Sequence, residues 1–286
     1  MMIKDKYIDP FTDFGFKRIF GTEENKRFLI SFLNDLLDIE DNIVDLEYRN
    51  LEKLGLNVVD RKAIFDVYCT DEKNNNFIVE LQRGKQKYFK DRSIYYTSFP
   101  IQEQSKKGDW DYSLKKIFFV GILDFSIDDS DEYLEQVKLK NKKNTVFYDK
   151  LTYYYIQIPK FQKQEQDLSN HLEYWLYYLS NLAKCQSIPK ILEKDELIKE
   201  AFNVAEFLAL SKDEQFVYQL DLKAKLDYKN VLDYAKEEAE KQGIEKGEKN
   251  KQLEIAKSLL DVLDIKIIAL KTGLSVTEVQ RLKDEK

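Results

Sequence analysis

Residues 62–83, KAIFDVYCTDEKNNNFIVELQR, decide the fold. Two β-favouring runs, 62–70 and 77–83, flank a polar, asparagine-rich turn, so the stretch reads as an antiparallel hairpin. With a five-residue loop at 71–75, the position opposite residue i is 146 − i, which sets Asp66 across from Glu80. Alternate residues of a strand share a face. Gln82 therefore joins the two acids, with Ile64, Tyr68 and Ile78 as neighbours, while Phe65, Val67, Val79 and Leu81 point the other way into the core. Like charges at directly opposed positions repel by up to about 1 kcal/mol unless a cation or a proton joins them. A divalent ion held by Asp66 and Glu80, with water and phosphate oxygens completing an octahedral shell, turns that repulsion into a Mg²⁺ site.

Working outward, Gly21 punctuates the chain and Thr22 is placed to cap a helix with Glu23 and Glu24 in its first turn. Phe28, Leu29, Phe32, Leu33, Leu36 and Leu37 give that helix one apolar stripe through about residue 38. Residues 43–59 alternate well enough for a short strand or strand-like loop. After the hairpin, QKYFKDRSIYYTSFPIQEQ has helical spacing, broken or bent at Pro100. IFFVGIL at 117–123 is a continuous apolar run suited to a central strand, and TYYYIQIP at 152–159 is a further strand ending at Pro159. From 169 the pattern is helical. The stretch DYAKEEAEKQGIEKGEKNK nearly balances its charges and reads as a solvated helix or flexible linker, with Gly243 and Gly247 arguing against one rigid rod. Near the end, Ala269, Gly273 and Val279 have the spacing of a helix-turn-helix. Its second helix carries acids and bases in equal number, so a DNA-reading role and a protein-contact or dimerisation role both stay open.

Composition narrows the chemistry. The 286 residues are 34% charged and 43% hydrophobic, enough apolar content for a globular core and far from disordered or membrane classes. Cys69 and Cys185 form no CxxC pair, so neither a disulfide framework nor a zinc site is signalled, and a reducing cytoplasm fits. The start, MMIKDKYIDPF, lacks an apolar signal core, and no run is long enough to span a membrane. His171 is the single histidine, which disfavours histidine-based hydrolases and imidazole metal sites; a packing or surface role in its apolar helical stretch is the better reading. The chemistry falls to carboxylates. A net charge of −6 argues against wholesale nucleic-acid binding but leaves room for a local basic groove. Six of the seven arginines lie in the first 92 residues, a hint of phosphate contact near the hairpin.

The spacing D-x13-E-x-Q from Asp66 through Glu80 to Gln82 resembles the split signature of the PD-(D/E)XK nuclease superfamily. Together with TDFGFKRIFG, KRFLISFLNDLL, IVELQR and FKDRSIYYTS, it is similar to the Rpn family of recombination-promoting nucleases, also described as PD-(D/E)XK family transposases, from about residue 9 to 125. The resemblance implies an α/β, restriction-endonuclease-like core with a helical C-terminal region. It also implies that Asp66 and Glu80 bind Mg²⁺, for which Mn²⁺ can substitute, and that Gln82 stands where the superfamily carries lysine. Phe65 replaces the proline before the aspartate. The Gln82 amide offers an oxygen for orienting water but no charge; Lys62, on the strand face of Asp66, or Lys85 beyond the strand are candidates to supply it. Superfamily members often add an acid from the first helix, for which Asp13, Glu23 and Glu24 are all candidates. Arg92 is the candidate phosphate contact, with a structural salt bridge as the alternative; Tyr95 and Tyr96 either stack or pack.

The expectation is a Mg²⁺-dependent DNA endonuclease of the cytoplasm, linked to recombination or mobile elements, with DNA as partner, no membrane association and homodimerisation open. The rival is a noncatalytic DNA-binding or protein-interaction module on the same fold. The expected organisation is a nuclease-like core at 1–165, helices packing on it at 166–210, a charged helical linker at 211–251 and a small helix-turn-helix-like tail at 252–286.

Overall fold

A six-stranded mixed sheet organises the larger part of the molecule, in a computed structural model that describes residues 5–49, 52–53, 63–105 and 111–285, with backbone alone at 52–53 and 63–64. The strands are β1 (Leu46–Tyr48), β4 (Val67–Asp71), β5 (Asn76–Gln82), β6 (Ile117–Leu123), β8 (Val146–Gln157) and β7 (Leu134–Lys140), in that order across the sheet. A separate two-stranded ladder joins β2 (Glu52–Lys53) to β3 (Ala63–Ile64). β5, β6 and β8 run parallel, whereas β1, β4 and β7 are antiparallel to their neighbours. β6, with a parallel neighbour on each side, is buried on both faces, which explains why IFFVGIL is uninterruptedly apolar. β7, LEQVKLK, is an edge strand with half-exposed and exposed positions, and its lysines and glutamate blunt the edge.

Between β5 and β6 the chain crosses over through α3 (Phe89–Glu103). This helix covers one sheet face, packing on Phe65, Tyr68, Ile78, Phe119, Tyr153 and Tyr155. The opposite face is covered by α1 (Asp13–Phe20), α2 (Lys26–Leu36), α4 (His171–Asn181) and α5 (Glu196–Val204). Trp175 of α4 sits at the centre of that layer, fully buried, with the rings of Phe20, Phe32 and Tyr178 at 5.7, 6.5 and 5.8 Å. His171 begins α4, and its two ring nitrogens reach Asp35 on α2 and Asp195, which caps α5, so the single histidine clamps three helices.

Several local expectations change. The lead DFGFKRIF is a helix of its own, α1, capped by the Thr12 hydroxyl, which accepts from the Gly15 N–H at 3.0 Å. Thr22 makes no side-chain cap; Glu23–Asn25 form a 3-10 turn and α2 begins at Lys26. Pro100 does not end α3, which continues to Glu103. The strand expected over 62–70 breaks at Phe65 and Asp66, and the break turns Phe65 toward α3, where it meets Tyr68 and Tyr96 at 5.3 and 5.2 Å instead of joining Val67 on the other face.

The described chain divides into two compact units, Met1–Leu222 and Lys223–Lys286. The long helix α6 (Lys212–Leu259) runs without interruption through Gly243 and Gly247. In the second unit, α7 (Ile265–Thr272) and α8 (Val276–Asp284) enclose a small core of Ala256, Leu260, Ile268, Ala269, Leu274 and Val279. Gly273 terminates α7 with φ +76°, a left-handed conformation that glycine adopts without a Cβ penalty. A Ser275–Glu278 capping box starts α8. Among the described residues no helix is long and apolar enough to cross a membrane.

Candidate active site

The hairpin register places the two acids. Val67 pairs with Val79 and Thr70 with Asn76, so every ladder pair sums to 146 and Asp66, one residue before β4, falls beside Glu80. The Asp66 N–H donates to Glu80 Oε1 at 3.1 Å, and the Leu81 N–H donates to Asp66 Oδ2 at 2.7 Å. Each carboxylate is thus tied by one oxygen to the backbone of the opposite strand, and among the described residues the second oxygen of each has no hydrogen bond. Glu80 is only 4% exposed and Asp66 is half-buried. Beside Glu80 on β6 stands Gly121, where a Cβ would meet the rings of Phe119, Phe89 and Tyr155 at 3.3 Å each. The inner flank of the acid pair is therefore an aromatic wall.

Burial, then the neighbouring Asp66 charge, pushes the Glu80 carboxyl well above the usual range, and the Asp66 N–H, Arg92 and Lys17 pull it back. Burial also raises Asp66, opposed by the Leu81 N–H; Asp13 adds to the rise, while Lys17 and Arg92 act against it. A desolvated carboxylate raised further by the charge of a desolvated neighbour needs a cation or a proton. Their chemistry, hard oxygen donors with one oxygen apiece left open, fits a small divalent cation that takes one or two carboxylates and keeps its remaining shell for water and phosphate. Among the described residues no group of three or more His, Cys, Asp or Glu side chains is arranged to hold a metal ion. Asp66 and Glu80 are the candidate carboxylate donors.

Of the first-helix acids, Asp13 at the start of α1 acts on Asp66 through space and is held by Lys17 at 2.9 Å. Glu23 instead faces Lys26 at 3.4 Å, and Glu24 is exposed. The α1 start is fixed by Asp221 of α6, whose Oδ2 accepts from the Phe14 N–H at 2.7 Å and whose Oδ1 lies 4.0 Å from Arg83.

Gln82 is 5% exposed and has both ends of its amide engaged. Its Nε2 donates to the carbonyls of Arg83 and Gly84 at 3.1 and 3.3 Å, and its Oε1 accepts from Arg92 Nη2. Gly84 has φ +73°, and its N–H donates to Asp124 Oδ1 at 2.6 Å, which pins the bend presenting those carbonyls. Arg92 Nη1 donates to Gln86 Oε1 at 2.8 Å, and the guanidinium lies 5.6 and 5.5 Å from the rings of Phe89 and Tyr96. Tyr96 is half-buried against Phe65, whereas Tyr95 is 43% exposed. Lys62 lies outside the described residues, and Lys85 is exposed beyond β5. Sequence reasoning did not find Lys17 or the Gln82–Arg92 bond; the basic position four residues after Asp13 was the available signal for the first, and nothing in the spacing signals the second.

A family model described as PD-(D/E)XK nuclease family transposase matches residues 10–235. The chain belongs to this family. The match runs from the segment leading into α1 into α6 and takes in Asp66, Glu80, Gln82 and Arg92. The sequence resemblance sets Phe65, Asp66, Glu80 and Gln82 against the PD-(D/E)XK pattern, a reading in which an uncharged side chain stands at the place of the lysine. No curated protein and no solved structure matches the chain.

Proposed function

We propose that this PD-(D/E)XK transposase-family protein hydrolyses phosphodiester bonds within DNA, using Mg²⁺, or Mn²⁺ in its place, held by Asp66 and Glu80, in the service of recombination or mobile-element movement. The supporting observation is the buried acid pair: two carboxylates set against each other by the hairpin register, each raised by burial. Such a cation polarises a phosphate oxygen and lowers the pKa of a bound water. The remaining work belongs to the chain. Asp66 and Glu80, oriented by the N–H groups of Leu81 and Asp66, present fixed oxygens and need no rearrangement. The aromatic wall of Phe89, Phe119 and Tyr155 excludes water from the inner side and strengthens the electrostatics there. Arg92 and Lys17 bring positive charge toward the two acids, where a phosphodiester also needs a counter-charge.

The test is incubation of supercoiled plasmid with the protein in Mg²⁺, in EDTA and as Asp66→Ala. Nicking that requires the metal and disappears on substitution supports the nuclease. Unchanged retention of DNA in a gel with no cleavage under any metal condition overturns it in favour of a noncatalytic DNA-binding module.

A further inference from the structure

Gln82 is arranged as a bracket. Its NH₂ is fixed by two consecutive carbonyls, Arg83 and Gly84, so its oxygen can face only one way, and the group it faces is the Arg92 guanidinium. A reversed amide would set NH₂ against the cation and lose all three bonds. The bracket is completed by Gln86 on Nη1 and by the ring faces of Phe89 and Tyr96. Four neighbours thus hold one long side chain that would otherwise sweep many rotamers. Arginine has five N–H donors, and these contacts use two. The rest remain for an anion that accepts through two oxygens, such as a phosphodiester. No carboxylate pairs with Arg92 at salt-bridge distance among the described residues, yet its charge lowers both Asp66 and Glu80. A rigid, unneutralised guanidinium beside the acid pair is not needed for folding alone.

Resting on the nuclease reading, we propose that Arg92 is a catalytic residue that binds the phosphate at the acid pair, and that Gln82 is its positioning residue, so that the two together supply the charge absent from the last place of the motif. Lysine at 82 with Arg92 present sets two cations against one another; lysine at 82 with Arg92 removed puts one cation back.

The experiment compares the full-length wild type with Gln82→Met, Arg92→Ala, Arg92→Lys, Gln82→Met/Arg92→Ala and Gln82→Lys/Arg92→Ala. Single-turnover cleavage of a duplex at saturating protein in Mg²⁺ is read beside duplex affinity in EDTA and Mn²⁺ affinity by calorimetry, with melting curves to confirm folding. The expected result is a fall of roughly 100-fold in cleavage for Gln82→Met and for Arg92→Ala, no further fall in their double variant, and recovery of about tenfold in Gln82→Lys/Arg92→Ala. Gln82→Met leaves duplex affinity within about threefold, because a positioning effect falls on the chemical step. Mn²⁺ binds roughly threefold or more tightly to Arg92→Ala, since a like charge has gone, and Arg92→Lys restores the wild-type affinity. Wild-type cleavage by Gln82→Met, multiplying losses in the double variant, or unchanged Mn²⁺ affinity in Arg92→Ala each overturns the proposal. A wild type that cleaves nothing removes the nuclease reading and with it the catalytic role of Arg92, whereas an active wild type with an indifferent Arg92 removes this proposal alone.

Discussion

Replacing Glu80 by glutamine separates a metal ligand from a structural anchor, because the amide keeps the oxygen that accepts from the Asp66 N–H at 3.1 Å and loses only the charge. Weakening a charge-assisted hydrogen bond to a neutral one costs about 1 kcal/mol. Removing a like charge from the position opposite Asp66 returns about the same. What remains is relief from desolvating a carboxylate that is 4% exposed, so the metal-free variant gains about 1 kcal/mol. For a unit spanning Met1–Leu222 that corresponds to ~2–4 °C in melting temperature. The pH dependence has a definite sign. The folded Glu80 carboxyl lies above its ordinary value of 4.5, so its contribution to stability is present below that value and drains as pH rises through the folded one. The wild type in EDTA therefore loses more stability than Glu80→Gln between pH 5 and 8. Divalent ion at one hundred times its Kd adds about 2.7 kcal/mol to the wild type, or ~5–11 °C, and to the variant a small fraction of that. Differential scanning calorimetry in EDTA and in MnCl₂ reads all three effects. A variant destabilised by more than about 1 kcal/mol in EDTA, or one that keeps the wild-type Mn²⁺ shift, refutes the reasoning.

Three further outcomes follow from other parts of the molecule. His171, raised first by its bond to Asp35, has a folded pKa above its ordinary 6.5, so its clamp on α2 and α5 is present below that pH and lost as pH rises through the folded value; His171→Gln flattens that dependence, by about 1 kcal/mol at most because the side chain is 32% exposed. Trp175→Ala, which removes a fully buried ring from among Phe20, Phe32 and Tyr178, destabilises by about 3–5 kcal/mol in urea unfolding, and a loss under 1 kcal/mol contradicts its central placement. Gly273→Ala costs about 1 kcal/mol through the +76° φ alone, since the nearest atom to a Cβ there is 3.6 Å away; amide exchange confined to α7 and α8 should quicken roughly fivefold.

The hairpin was legible because turn chemistry and alternation fix a register without help from the rest of the chain: the 146 sum holds at every ladder pair from Val67 to Thr70. IFFVGIL was legible for a related reason, its burial on both faces leaving no polar residue to confuse the pattern. Other elements depend on partners that spacing does not name. α1 is held by Thr12 and by Asp221, some two hundred residues on, so DFGFKRIF alone gives little sign of a helix. The edge strand β7 hides because LEQVKLK mixes charges into its half-exposed face. Period two puts Phe65 on the wrong face because it assumes an unbroken strand, and the chain breaks there. At the site, the Asp66–Glu80 apposition is a matter of register, whereas the Gln82–Arg92 contact depends on how α3 lies across the sheet, and no pattern in the sequence fixes that.

The central claim is that one cation bridges Asp66 and Glu80. Crystals soaked in Mn²⁺ and measured at the manganese absorption edge test it most directly. The account predicts one anomalous peak about 2.1–2.2 Å from an oxygen of each carboxylate, absent from Asp66→Ala crystals soaked alike. A wild-type map in which both carboxylates are ordered and no peak lies between them contradicts it.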